Sequence, residues 1–446
     1  MNVLDQVLAF IAEQNVEAYF VGGLVRDELL GRAVKRDLDL AVDGDAAELA
    51  RAFADAIGGA YYLMDEEHNV ARVMLGDTYV DFAQLRGTLR EDLATRDFTI
   101  NAMARQLGSN ELFDPFHGQK HLAQKQICAV TDEAFRNDPV RLLRALRFAG
   151  ELGFALGAHT EKLMRRDAPL LAFAAMERAR DEFFKILALP DPTTWLRRMD
   201  EFGLLAALLP EVSALKGVTQ SAPHAFDVFE HTLRALDELV ALQANEYADV
   251  ANGECVAELQ THFAQIVSAE RARGTLLRLA MLLHDVGKPS TRSVDAAGAI
   301  HFYAHEARGA ALSEALLRRL RFSNDEIAIV TRVVAEHVRP AQLARESHLR
   351  NRAVYRFFRD AGDAGVDACV VMLADQRGKA VTLNDAEDAR YRTANAILLE
   401  RYFRARDQVI VAPALSDGRT LMRELQIEAG PRLGELLEAI REAQAE

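Results

Sequence analysis

A change of pattern near residue 125 constrains the fold of this chain more than any single motif. Up to that point helix and strand signals alternate. Val3, Leu4, Val7, Leu8 and Ile11 recur at helical spacing, and Ala18-Tyr-Phe-Val21 is a short β-type run ended by Gly22-Gly23. Further strands are expected at Leu38–Val42, Tyr61–Leu63, Val70–Leu75 and Tyr79–Phe82, with Gly76-Asp77 as a hairpin turn. From about residue 126 onward the pattern is almost entirely helical, rich in Leu, Ala, Arg and Glu and poor in β-branched runs. The expectation is an α+β N-terminal region with a small mixed sheet, followed by all-α domains. Gly217–Pro223 interrupts the helical pattern and reads as a boundary. The segments expected are 1–125, 126–220, 221–385 and 386–446.

With 446 residues, half of them hydrophobic and 27% charged, the chain has material for several ordinary globular cores. No apolar stretch is long enough to span a bilayer, and the N-terminus lacks a signal-peptide layout, so a cytoplasmic protein with no membrane partner is expected. Cys128, Cys255 and Cys369 lie far apart without CxxC spacing, which argues against a disulfide framework and a zinc–cysteine site. A net charge of −14 disfavours indiscriminate nucleic-acid binding. Between Arg136 and Lys185, however, ten Lys/Arg stand against seven Asp/Glu, a locally positive track where RNA would bind.

The chemistry begins at Asp37 and Asp39, in Lys35-Arg36-Asp37-Leu38-Asp39-Leu40, shortly after the turn Val21-Gly22-Gly23-Leu24-Val25-Arg26-Asp27. On a strand, residues two apart point the same way, so both carboxylates share a face while Leu38 and Leu40 take the other. Two aligned carboxylates can hold divalent cations that clamp the attacking and leaving oxygens of a phosphoryl displacement. Glycines let backbone N–H groups approach a triphosphate. Alone, an Asp-x-Asp pair is simply a strand-end feature. Downstream, Thr95-Arg96-Asp97-Phe98-Thr99-Ile100-Asn101 offers a guanidinium suited to phosphate and an amide suited to a ribose or phosphate oxygen; its bland reading is a helix start capped by Asp97. In Asp138-Pro139-Val140-Arg141, followed by Arg144 and Arg147, proline and Asp mark a helix N-terminus. Asp138, Arg141, Arg144 and Arg147 fall on one half of that helix, opposite Leu142, Leu143 and Leu146. Such a face could read a base edge and grip phosphates, or simply be solvated.

Gly-Gly-x-Val-Arg-Asp, Asp-x-Asp, Arg-Asp-Phe-Thr-Ile-Asn-Ala and Asp-Pro-x-Arg-x-x-Arg, in this order and spacing, resemble the bacterial tRNA nucleotidyltransferase and poly(A) polymerase family (class II CCA-adding enzymes) over residues 18–210. Glu177-Arg-Ala-Arg-Asp-Glu182 resembles that family's structural helix element. The resemblance implies a palm domain, then a helical neck and body. Gly22, Gly23, Arg26 and Asp27 would surround the incoming sugar and triphosphate, Asp37 and Asp39 would carry Mg²⁺, and Arg96, Asp97 and Asn101 would contact phosphates and ribose. Asp138 and Arg141, with Arg144 and Arg147 beyond, would read the Watson–Crick edge of CTP or ATP. A carboxylate accepts from the exocyclic amine common to C and A, and a guanidinium donates to ring or carbonyl acceptors. The implied partner is a tRNA 3′ end, or another RNA 3′ end. Thr95 stands where the family usually has Arg, and Asn137 where it has Glu. Only nine residues separate Asp81 from Glu91, where CCA-adding members carry a longer loop; this resembles the CC-only branch. Asp81 is a further candidate for the metal site.

A second constellation comprises His231, His284-Asp285, His305, His337 and Asp375, with His284-Asp-Val-Gly-Lys-Pro289 closing the apolar helix Leu276–Leu283. Over residues 221–380 this resembles the HD phosphohydrolase superfamily. It implies a divalent transition metal or Mg²⁺ on His231, His284, Asp285 and Asp375, with His305 and His337 extending the site to a second ion. Ala241–Gly274 reads as an inserted helical segment. Poly(A) polymerase, or an HD phosphohydrolase whose N-terminal part only binds RNA, are the alternative readings.

Overall fold

The computed structural model describes residues 3–32, 37–109, 111–380, 384–410 and 415–445, with the backbone but not the side chain of Asp37. It comprises two compact units, Met1–Ala174 and Ala175–Glu446.

The first unit is built on a seven-stranded mixed sheet. Its strands are β1 (Ala18–Val21), β2 (Asp37–Val42), β3 (Ala60–Asp65), β4 (Val70–Leu75), β5 (Thr78–Gln84), β6 (Ala104–Gln106) and β7 (Leu112–Phe113), in the spatial order β3-β4-β5-β2-β1-β6-β7. Only β2 and β5 run parallel; every other neighbouring pair is antiparallel. The hairpin expected at Gly76-Asp77 is present: Leu75 pairs with Thr78, and Gly76 takes φ 59°. The short outer strands β6 and β7 were not among those expected from the sequence.

Alternation along β2 decides what each face does. Leu38 and Leu40 lie opposite Val80 and Phe82, all buried, and Phe82 packs at 5.7 Å on Phe53 of the helix Ala46–Ile57. That helix is capped by Asp45, which accepts from the Glu48 N–H, and ends at left-handed Gly58. On the other face Asp39 lies opposite Asp81. Below them Ala41, Val21, Leu93, Ala102 and Ala104 form a buried cluster. The carboxylate-bearing strand is therefore central, with one face sunk in an aromatic core.

The second unit is helical except for two small hairpins, Ile266–Ser268 with Arg271–Ala272 and Arg292–Val294 with Ile300–Phe302. Its centre is the helix Ala364–Gly378, buried at every residue but Arg377, against which Val228–Ala244, Asn324–Glu336 and Asp385–Phe403 pack. The inserted segment 241–274 is not simply helical. Val228–Ala244 runs four residues into it, a series of turns with left-handed Glu246, Tyr247, Asn252 and Cys255 follows, and only Val256–Ala264 is a new helix before the first hairpin. A buried ion pair holds it: Arg273 donates to Asp367 at 2.7 Å, and His262 approaches the same carboxylate at 2.9 Å.

Candidate functional sites

Gly22 takes φ 72° and ψ −137°, a conformation reserved almost entirely for glycine, and opens the helix Gly23–Leu29. A Cβ built there would lie 3.0 Å from Asp39 Oδ2 and 3.1 Å from Arg96 Nη1. Backbone turn, carboxylate and guanidinium thus meet at one point. Lys35, Arg36 and the Asp37 side chain lie outside the described residues; the Asp37 backbone precedes Asp39 on β2 by one full alternation, opposite Tyr79. Asp81, directly across from Asp39, gives both oxygens to Arg72, at 2.7 Å each.

Behind this point runs a buried chain of polar groups. Arg26 donates to Asp27 (2.8 Å) and to Asn101 Oδ1 (2.8 Å), and Asn101 donates to Asp97 (3.0 Å). Asp97 accepts from the Phe98 N–H and takes a two-pronged donation from Arg144, at 2.9 and 2.7 Å. Asp97 is thus the buried hub of this chain rather than the cap of a helix start, since the 3₁₀ turn Thr99–Asn101 has no side-chain cap. Burial pushes its carboxyl up, but the Arg144 charge and the bonds from Asn101 and Phe98 outweigh this and hold its pKa below 3.8.

The helix expected after Asp138-Pro139 spans Arg141–Leu152. Asp138 accepts from the Val140 N–H and lies 3.7 Å from Arg141 Nε. Arg141 donates to the carbonyls of Thr95 (2.7 Å) and Arg96 (3.3 Å), and Arg144 reaches Asp97, so both arginines join the Thr95–Asp97 segment. Arg147 is buried and pairs with Glu151 of its own helix at 2.7 Å. Sequence reasoning overlooked Phe148, whose ring carries Arg147, Arg26 and Arg144 at 4.1, 5.1 and 5.3 Å from its centre. Its adjacency to the arginine row was the available signal. Arg72, the partner of Asp81, had none, because the pairing depends on strand register.

In the second unit, His231, His284, Asp285, His337 and Asp375 converge in the buried interior beside half-buried His305. Each histidine's Nδ1 is tied to a backbone carbonyl: His284 to Met281 (2.7 Å), His305 to Phe302 (2.8 Å), His337 to Val334 (2.7 Å) and His231 to Gly378 (3.2 Å). With the proton on Nδ1, each Nε2 offers a lone pair. His231 Nε2 lies 3.0 Å from Asp375 and 3.5 Å from Asp285, and His284 Nε2 lies 3.1 Å from Asp285 and 3.6 Å from Asp375. Among the described residues neither Nε2 has a hydrogen-bond partner. Lone pairs facing carboxylate oxygens in a buried space repel unless a cation stands among them. The donor set, two imidazoles and two carboxylates, fits a divalent metal. His337 gathers with His284 and Asp285 as a second ligand triplet, and the His305 ring meets that of His337 edge to face at 5.4 Å.

The electrostatics of the cluster point the same way. Burial opposes a charge on His284, but Asp285 and Asp375 outweigh it and raise its pKa to about 10. His337, buried beside His284, falls to about 3. Burial raises Asp285, yet His284 and Lys288 carry it well below 3.8. Two cations missed as site residues complete the surroundings: Lys288 at 2.6 Å from Asp285, and Lys379 at 3.1 Å from Asp375. Lys288 belongs to the His-Asp-x-Gly-Lys motif, and Lys379 follows Asp375 by one helical turn.

Comparison with known proteins gives a consistent pattern. Residues 18–89 and 86–128 match the Poly A polymerase head domain, 153–216 the probable RNA and SrmB-binding site of polymerase A, and 228–377 the HD domain. An A-adding tRNA nucleotidyltransferase of Deinococcus radiodurans is 35% identical over 435 residues, covering 96% of this chain and 91% of that protein. A CC-adding tRNA nucleotidyltransferase of Thermus thermophilus is 31% identical, covering 96% and 90%. Among solved structures, a Thermotoga maritima CCA-adding enzyme complexed with tRNA aligns over 99% of this chain and 90% of its own, with a TM-score of 0.63 and 23% identity, a likeness of fold.

Proposed function

Because this chain belongs to the tRNA nucleotidyltransferase family, we propose that it extends the tRNA 3′ end without a template by adding C residues from CTP, with ATP addition as the activity to be distinguished. The observation that carries this reading is the meeting of Asp39, Arg96 and the Gly22 turn. A carboxylate suited to a divalent cation, a guanidinium suited to phosphate and a backbone open to close approach stand within one triphosphate's reach. Asp37 and Asp39 would hold Mg²⁺, which when bound supplies positive charge for the reacting hydroxyl and the departing pyrophosphate. Arg96 would bind triphosphate oxygens. Arg26, Asn101 and Asp97, already hydrogen-bonded to one another, would orient the sugar. Asp138 and Arg141 would meet the base edge. For Arg141 this means exchanging its bonds to the Thr95 and Arg96 carbonyls for bonds to nucleotide, so base selection and the placement of Arg96 would be linked.

The connection after β5 supports CC addition. From Gln84 to the helix Leu89–Ala94 only four residues intervene, and that helix is closed by a capping box between Thr88 and Glu91. The test is incubation with tRNA transcripts ending at the discriminator base, or at C75, with CTP, ATP or both. Extension by two C residues alone supports the reading. Addition of A to the C75 transcript replaces it with A or CCA addition, and long A tracts with polyadenylation. Asp39→Ala should abolish incorporation with the fold intact; substantial residual transfer would remove that residue from its role.

A second activity is favoured by the converging Nε2 atoms of the second unit. We infer a metal-dependent phosphohydrolase acting on phosphomonoesters or cyclic phosphates, with Lys288 and Lys379 positioned to receive phosphate oxygens. Hydrolysis of a 2′,3′-cyclic nucleotide by metal-loaded protein, lost in Asp285→Ala, tests it; equal turnover by that variant refutes it.

A further inference from the structure

The helix Asn351–Ala361 carries Arg352, Arg356 and Arg359, spaced one helical turn apart along one side. At a rise of about 1.5 Å per residue they step about 6 and 4.5 Å along the axis, comparable with neighbouring phosphates on one nucleic-acid strand. Against this side lies the helix Pro431–Gln444, which has no buried residue of its own. It is held by charge. Glu442 accepts from Arg352 (3.0 Å) and from Arg356 (2.7 and 2.8 Å), Glu438 and Glu442 accept from Arg359 (2.8 and 3.2 Å), and Tyr355 donates to Glu438 (3.0 Å). The apolar side of the C-terminal helix turns instead toward its neighbour Gly418–Leu425, where Leu433 and Leu437 approach Gly418. The two C-terminal helices therefore pack on one another, and the last meets Asn351–Ala361 through carboxylates that occupy guanidinium positions.

We propose that the Arg352–Arg356–Arg359 side is a contact surface for the phosphate backbone of the RNA substrate, covered in the free protein by Glu438 and Glu442, which tRNA displaces. This rests on the nucleotidyl-transfer reading for the identity of the RNA. Two features favour a polyanion. The occupants are carboxylates one helical turn apart, and the arginines they cover remain 35–47% exposed, so a competing polyanion can reach them. The surface would add affinity without sequence preference, since guanidinium–phosphate contacts position rather than specify.

The test is titration of the full-length protein with a labelled tRNA transcript across a KCl series. Uncovering the arginines with Glu438→Gln/Glu442→Gln should tighten Kd on the order of ten-fold at low salt and steepen the dependence of log Kd on log salt by up to about 3. Adding Arg352→Gln, Arg356→Gln and Arg359→Gln should cancel both changes. Unchanged affinity and slope in the glutamate variant, or a gain that survives loss of the arginines, overturns the proposal. A measurement on the wild type guards against variants that misfold: tRNA should raise hydrogen exchange in Pro431–Gln444, and unaltered exchange counts equally against displacement. CTP incorporation into an acceptor-stem minihelix is run alongside. Its absence in the wild type would strike the nucleotidyl-transfer reading, whereas its presence with flat tRNA titrations strikes only this one.

Discussion

Gly22→Ala puts the assembly of the transfer site under the most direct test. Two costs follow from the structure. The backbone at φ 72° and ψ −137° is sparsely populated for any residue with a Cβ, a penalty of about 1–3 kcal/mol. The new methyl would also lie 3.0 Å from Asp39 Oδ2 and 3.1 Å from Arg96 Nη1, well inside the usual contact of about 3.5–4 Å. Both side chains must move by several tenths of an ångström, away from the metal and phosphate positions. Misplacing reacting groups by about 1 Å costs on the order of 100-fold in rate. Gly58→Ala is the control. Gly58 also has positive φ (70°) but nothing within 4 Å of its Cβ position, so it incurs a strain of about 1–2 kcal/mol without touching the site. Thermal melts and single-turnover CTP incorporation are measured for both. Each variant should melt a few degrees lower, at roughly 2–4 °C per kcal/mol. Only Gly22→Ala should lose transfer, by tens to about 100-fold. If Gly22→Ala retains more than half of wild-type transfer, or Gly58→Ala is equally impaired, the proximity of Gly22, Asp39 and Arg96 is not what organises the chemistry.

Arg144→Gln should destabilise the first unit by about 3 kcal/mol, the low end for a broken buried pair because Arg144 is 31% exposed. It should also weaken a pH dependence. Asp97, held below 3.8 in the native protein, contributes fully above that pH and loses its contribution as pH falls through its lowered value. Without the Arg144 charge the balance moves toward burial, the folded pKa rises, and the loss of urea stability on acidification should shrink; a wild-type profile would refute the pairing. Arg141→Ala should blur the choice between CTP and ATP more than it slows transfer, read as the ratio of kcat/KM values; an unchanged ratio would exclude base reading by this residue. His284→Ala should lower the divalent metal retained per chain, measured by elemental analysis after dialysis, while CTP incorporation persists. Equal metal content would place the ion elsewhere.

The sequence announced what local periodicity can carry: five strands, the Gly76-Asp77 hairpin, the helix after Pro139 and the apolar helix leading into His284-Asp285. It did not announce contacts made by register. That Asp81 would surrender both oxygens to Arg72 depends on β4 and β5 aligning residue for residue, and nothing in either strand alone encodes it. Asp97 looked like a cap because the rule for capping is local, whereas its partner Arg144 lies 47 residues away. Arg147 shared a helical half with Arg141 and Arg144, yet a position on a helical wheel does not say which partner a long side chain takes, and Arg147 pairs with Glu151 one turn on. The segment 241–274 misled because helix-forming composition does not reveal left-handed turns at residues other than glycine.

Gly378 shows how the candidate metal centre is finished. Three of its histidines are oriented by carbonyls three residues earlier in their own turns, so those corners come ready-made with the local chain. His231 alone depends on a carbonyl 147 residues distant, and it gets there because Gly378 lets its helix press to within 2.7–3.0 Å of the Ala235 backbone and Cβ, measured from where a side chain would begin. Metal capture should therefore report the final docking of Ala364–Gly378 onto Val228–Ala244. A chain whose helices have formed but not yet closed would carry three prepared imidazoles and wait for the fourth.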